Sequence, residues 1–76
     1  MLFLIEYDRR SGRIITFEPY PDSRRREAEE ARLSMELRLS GAGIEREVVL
    51  LEAASEAGLR ATHRRYFESL DALAAG

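Results

Sequence analysis

The sequence contains no cysteine, lysine, asparagine, glutamine or tryptophan, and it holds one histidine and two prolines. Without cysteine there are no disulfides and none of the usual zinc frameworks. A single histidine, His63, is too few for a histidine-rich metal site. No metal and no cofactor are expected. Without lysine, all 12 basic residues are arginine. One reading is selection for arginine's planar, bidentate chemistry. The other is a GC-rich genome that favours Arg, Ala, Gly and Glu codons. Scattered arginines and frequent alanine and glycine favour the compositional reading.

Long apolar runs are missing too. Met1-Leu2-Phe3-Leu4-Ile5 meets Glu6 at once, far short of the ~20 apolar residues of a membrane span. The run has neither the basic flank nor the cleavage site of a signal peptide. A cytoplasmic protein with no membrane contact is expected. The net charge of −2 gives no global attraction to nucleic acid.

Seventy-six residues leave room for one domain, 1–76. A chain of this size buries roughly 60% of its unfolded surface, and a total stability of about 4–11 kcal/mol is expected. Small scaffolds often need a staple. With disulfides and metals set aside, association with another chain is the one left.

The residues that are present predict strand, strand, helix, strand, helix. Leu2–Tyr7 is rich in large apolar and β-branched residues and predicts the first strand. Asp8–Gly12 reads as a turn, with Gly12 in the left-handed position. Arg13–Glu18 predicts the second strand, stopped by Pro19 and Pro21. A three-residue loop closed by Gly12 pairs Tyr7 with Ile15 and Ile5 with Phe17. Phe3, Ile5, Tyr7, Ile15 and Phe17 then form the core face of the hairpin. Leu2, Leu4 and Ile14 fall on the other face with Glu6, Thr16 and Glu18.

Asp22 or Ser23 can cap a helix over Ser23–Ser40, ended by Gly41 and Gly43. Glu45–Ala53 predicts the third strand. Ser55 can cap a last helix running to about Leu73. The expected architecture is a two-layer α+β domain, β-β-α-β-α, with both helices on one face of a three-stranded sheet. Strand order 2-1-3 is preferred over 1-2-3, because the first strand is the more apolar.

Candidate functional residues are few. Leu59, His63, Tyr66, Leu70 and Leu73, with Phe67 beside them, form a stripe that packs on the sheet. An enzyme would need His63 to meet a carboxylate such as Glu6, Asp8 or Glu52. There is no nucleophile motif, paired-carboxylate motif or phosphate loop, so no catalytic residue is assigned.

Arginines cluster at Arg9, Arg10 and Arg13, at Arg24, Arg25 and Arg26, and at Arg60, Arg64 and Arg65. Cations at a helix start oppose its dipole, which draws attention to the second group. Glutamates at Arg25–Glu29 and Arg26–Glu30 spacing neutralise it.

The helix over Ser23–Ser40 carries two stripes. Ala28, Ala31, Met35 and Leu39 share one face. Leu33 and Leu37 lie nearly opposite, where a second surface is needed to bury them. The leading expectation is a small non-enzymatic interaction or regulatory protein, working as a homodimer or with a protein partner. Its interface would use Leu33 and Leu37, or an open sheet face with Leu2, Leu4 and Ile14. The alternative is a nucleic-acid-binding module using Arg9, Arg10, Arg24, Arg25 and Arg26.

Overall fold

The computed structural model describes residues 1–67. Three strands form one antiparallel sheet: β1 (Leu2–Asp8), β2 (Arg13–Tyr20) and β3 (Glu47–Glu52). Their order is β2-β1-β3, as the apolar character of the first strand implies. Leu2 to Glu6 are all buried, as befits a central strand covered on both faces. The main helix, α1 (Arg25–Gly41), follows a 3-10 turn at Asp22–Arg24. A short helix, α2 (Glu56–Thr62), precedes a second 3-10 turn at Arg64–Tyr66.

The helices divide between the faces of the sheet instead of sharing one. Successive strand residues point to opposite faces. Leu2 and Leu4 pack with Tyr20 and Ala28, joined by Ala31, Met35, Val48 and Leu50. This is the face under α1. Phe3 and Ile5 pack with Leu59, Tyr66 and Phe67, joined by Val49 and Leu51. This is the face under α2. β3 is apolar at both parities because each helix needs one of them. The sheet therefore has a layer on either side, and no apolar face of β1 stays open.

The hairpin register differs from the expected one by a bulge. Ile5 pairs with Phe17 as expected, but Tyr7 pairs with Ile14, and the register shifts between Glu6 and Tyr7. The loop spans Arg9–Gly12, with Gly12 at φ 67° and its N–H donating to the Asp8 carbonyl at 2.8 Å. Asp8 accepts from the Arg10 N–H and the Ser11 hydroxyl. That side-chain-held turn is one residue longer than a three-residue loop, so β2 absorbs the extra residue as a bulge. Ile14 then joins the core under α2, and Ile15 is left exposed.

Pro19 does not stop β2. The Met1 amino group donates to the Ala53 carbonyl and the Ala53 N–H to the Met1 carbonyl. A pair that exchanges both bonds fixes the alternation along β1. Odd residues of β1 bond to β3 and even ones to β2. Pro19 stands opposite Phe3, so its nitrogen faces the outer edge, where no N–H is required.

α1 starts without a side-chain cap, because the 3-10 turn leads directly into it. Its end carries the expected left-handed glycine. Gly43, at φ 68°, donates to Ser40, and Ile44 donates to Leu39. That paired pattern closes orphan carbonyls at a helix C-terminus. Ser55 caps α2 by accepting from the Gly58 N–H at 3.1 Å. α2 then ends at Thr62, with His63 at non-helical dihedrals. The break lets the neighbours Tyr66 and Phe67 both turn into the core. A straight helix sets adjacent residues ~100° apart. Leu70, Leu73 and the rest of the predicted helix lie outside the described residues.

Candidate functional site

Two carboxylates anchor the sheet at its hairpin end, one on each face. Glu6, only 3% exposed, lies on the α1 face directly after the apolar run Leu2–Ile5 of β1. It accepts from the Thr16 hydroxyl at 2.8 Å and pairs with Arg46. Burial alone would push its carboxyl up. The bonds from Arg46 and Thr16, with the charges of Arg46 and Arg38, outweigh this and hold it below the ordinary carboxylate range.

Glu47 lies on the α2 face, opposite Tyr7. It accepts from Arg65 and from the Tyr66 hydroxyl at 3.1 Å. Its second oxygen is buried without a hydrogen bond and sits 3.6 Å from Arg9 Nε. Burial again acts upward, and Arg65 and Tyr66 bring the carboxyl down. Burial and the adjacent Glu47 raise the Tyr66 hydroxyl. Tyr7 meets Tyr66 edge-on at 5.2 Å, and Arg65 lies over the Tyr66 ring. Both carboxylates are held charged and engaged, on opposite sides of a sheet. That is scaffold geometry, and it offers no acid–base pair. A polar cleft at the hairpin end is lined by residues including Arg9, Arg10, Ile44, Glu45 and Arg46.

His63 is half-buried at the end of α2. Its N–H donates to Leu59 and its carbonyl accepts from Tyr66. The three carboxylates considered for it have other partners. Glu6 holds Arg46, Asp8 holds its own turn, and Glu52 holds Arg25. Among the described residues, no group of three His, Cys, Asp or Glu side chains is placed to hold a metal ion. No helix there is long and apolar enough to cross a membrane.

The candidate nucleic-acid arginines do not converge. Arg9 and Arg10 sit at the hairpin tip, while Arg24, Arg25 and Arg26 begin α1 beside the far end of β1. The length of β1, about 20 Å at 3.4 Å per residue, separates them. Arg9 faces Glu47, Arg24 holds Glu27, Arg25 holds Glu52, and Arg26 lies 3.6 Å from Glu30. Arg25 thus reaches across to β3 and not to Glu29, because β3 ends beneath the first turn of α1.

The candidate interface divides. Leu33 and Leu37 are 55% and 65% exposed. Leu2 and Leu4 are buried under α1, and Ile14 is packed in the other core. The open sheet face expected from the sequence is therefore replaced by a face the chain covers itself. The residues that sequence reasoning passed over are Arg46 and Glu47, which complete the two anchors. The signal for the first was Glu6, a lone charge inside the most apolar strand.

Comparison with protein-family models, with curated proteins and with solved structures gives no match.

Proposed function

We propose that the chain is a small non-enzymatic interaction domain that works as a homodimer through the outer side of α1. The observation that carries this reading is the pair Leu33 and Leu37, one turn apart and more than half exposed. The inner face of the same helix already fills its share of the core through Ala28, Ala31 and Met35. More than half of each side chain stays in solvent in the isolated fold, and burying that part in a partner would return on the order of 1–2 kcal/mol for each. A two-fold axis makes such a stripe self-complementary. A cytoplasmic setting belongs to the same reading.

Size-exclusion chromatography with light scattering tests it. The wild-type chain is expected to run as a dimer at high micromolar concentration. Leu33→Glu with Leu37→Glu should give a monomer with an unchanged circular dichroism spectrum. A wild-type monomer at that concentration would end this reading. Nucleic-acid binding is the less supported alternative, because carboxylates face four of its five arginines.

A further inference from the structure

The two edges of the sheet are built differently. β2 carries Pro19, is followed by Pro21, and contains the bulge at Ile14–Ile15. All three are devices that close an edge to further pairing. β3 has none of them. Its register against β1 runs unbroken from Glu47 to Glu52, and among the described residues no strand pairs with its other side. The Met1–Ala53 exchange shows which of its groups are free to pair. Residues 47, 49, 51 and 53 bond toward β1. The N–H and C=O of Val48, Leu50 and Glu52 therefore point away from the sheet.

We infer that the β3 edge pairs antiparallel with β3 of a second copy, joining two three-stranded sheets into one of six strands. This rests on the homodimer reading above and gives it a geometry. A two-fold axis normal to the sheet keeps each face on its own side, so directly opposed residues share parity. Glu47 and Glu52 differ in parity, so the two carboxylates never stand directly opposite one another. Parallel addition of a foreign strand carries no such guarantee.

The position of α1 selects a second copy as the occupant. α1 packs over β1 and β3, on Leu2, Leu4, Val48 and Leu50. Across a β3–β3 junction the two α1 helices stand about two strand spacings apart, ~10 Å. That is the ordinary distance of packed helices, about 8–10 Å. The side of α1 that would meet its mate is marked by Arg25, which reaches Glu52 of β3. Arg32, Leu33 and Glu36 follow on that side at i+7, i+8 and i+11. Leu33 would then be covered by the partner helix. Arg32 and Glu36, already 3.8 Å apart within one copy, offer opposite charges that the axis exchanges.

Amide hydrogen exchange on the wild-type dimer is the test, together with Glu52→Pro. Glu52 is exposed and its N–H points outward, so proline there spares the β1–β3 ladder. Slow exchange at Val48, Leu50 and Glu52 is expected, with dimerisation weakened about tenfold or more by loss of symmetry-related hydrogen bonds. A dimer broken by Leu33→Glu and Leu37→Glu, but with fast edge amides and indifferent to Glu52→Pro, would overturn the edge inference and leave the helix interface standing. A monomer would overturn both. A monomer with slow edge amides would show the edge covered within the chain.

Discussion

The two faces of the sheet solve the same problem with different means. On the α1 face a helix of 17 residues covers β1 mainly through small and flexible side chains, Ala28, Ala31 and Met35. On the α2 face a helix of 7 residues contributes Leu59, and the chain beyond it adds Tyr66 and Phe67. Phe17 bridges these rings, 5.6 Å from Phe3 and 6.1 Å from Phe67. Length covers one face and bulk the other. Each face is then pinned at the hairpin end by a carboxylate and an arginine, Glu6 with Arg46 and Glu47 with Arg65. The pins differ in burial. Glu6 and Arg46 are 4% and 26% exposed, and Glu47 and Arg65 are 14% and 59% exposed. A short helix must rely on a few large contacts, so the α2 face should be the more brittle of the two.

The largest effect is expected on that face. Leu59→Ala should cost about 2–5 kcal/mol, from lost burial and an unfilled cavity. Against a total of about 4–11 kcal/mol, this is a large share of the stability. Urea denaturation measures it, with Ala31→Gly on α1 as the comparison at about 1 kcal/mol. Equal losses would erase the contrast between the faces.

Next comes Arg46→Ala, at about 1.5–3 kcal/mol, because it removes a charged hydrogen bond and leaves Glu6 buried. Both Glu6 and Glu47 are held below the ordinary carboxylate range in the folded chain. Their contribution is complete above the unfolded value of about 4.3 and is lost as the pH falls through the folded values. In Arg46→Ala, burial of an unpaired Glu6 acts in the opposite sense, so protonation relieves it. The stability gap between wild type and variant should therefore narrow from neutral pH toward about pH 3. A gap constant with pH would mean that Arg46 acts by packing alone.

The smallest is Ser55→Ala at the start of α2, with an expected loss of about 1 kcal/mol from the missing cap. Thermal denaturation reads it. The effect should be larger than that of Arg24→Ala at the start of α1, where the ion pair with Glu27 is exposed and screened by solvent. The reverse order would mean that α1, and not the short helix, depends on its first turn.

Much of the fold was legible in the residues. The hairpin followed from an apolar run, a turn and Gly12. The end of α1 followed from Gly43, and the cap of α2 from Ser55. Strand order followed from the greater apolar content of Leu2–Ile5. The candidate interface was legible in part. Leu33 and Leu37 stand out because helical spacing alone puts them opposite Ala28 and Met35. Leu2 and Leu4 were misplaced because alternation separates the faces of a strand without saying what covers either.

By itself, then, the sequence determined what depends on neighbours along the chain: the turns, the caps, the alternation of β1 and the two stripes of α1. These are local because hydrogen-bond geometry and side-chain period act over a few residues. Tertiary structure decided which face each helix took and the partners of Arg25, Arg46 and Arg65. The arginine pairs join residues 18 to 40 positions apart, where burial and charge pairing are settled only once the whole sheet is assembled. Without cysteine the chain has no disulfide to tie its fold together. Two arginine–carboxylate pairs hold the hairpin end of the sheet, one on each face.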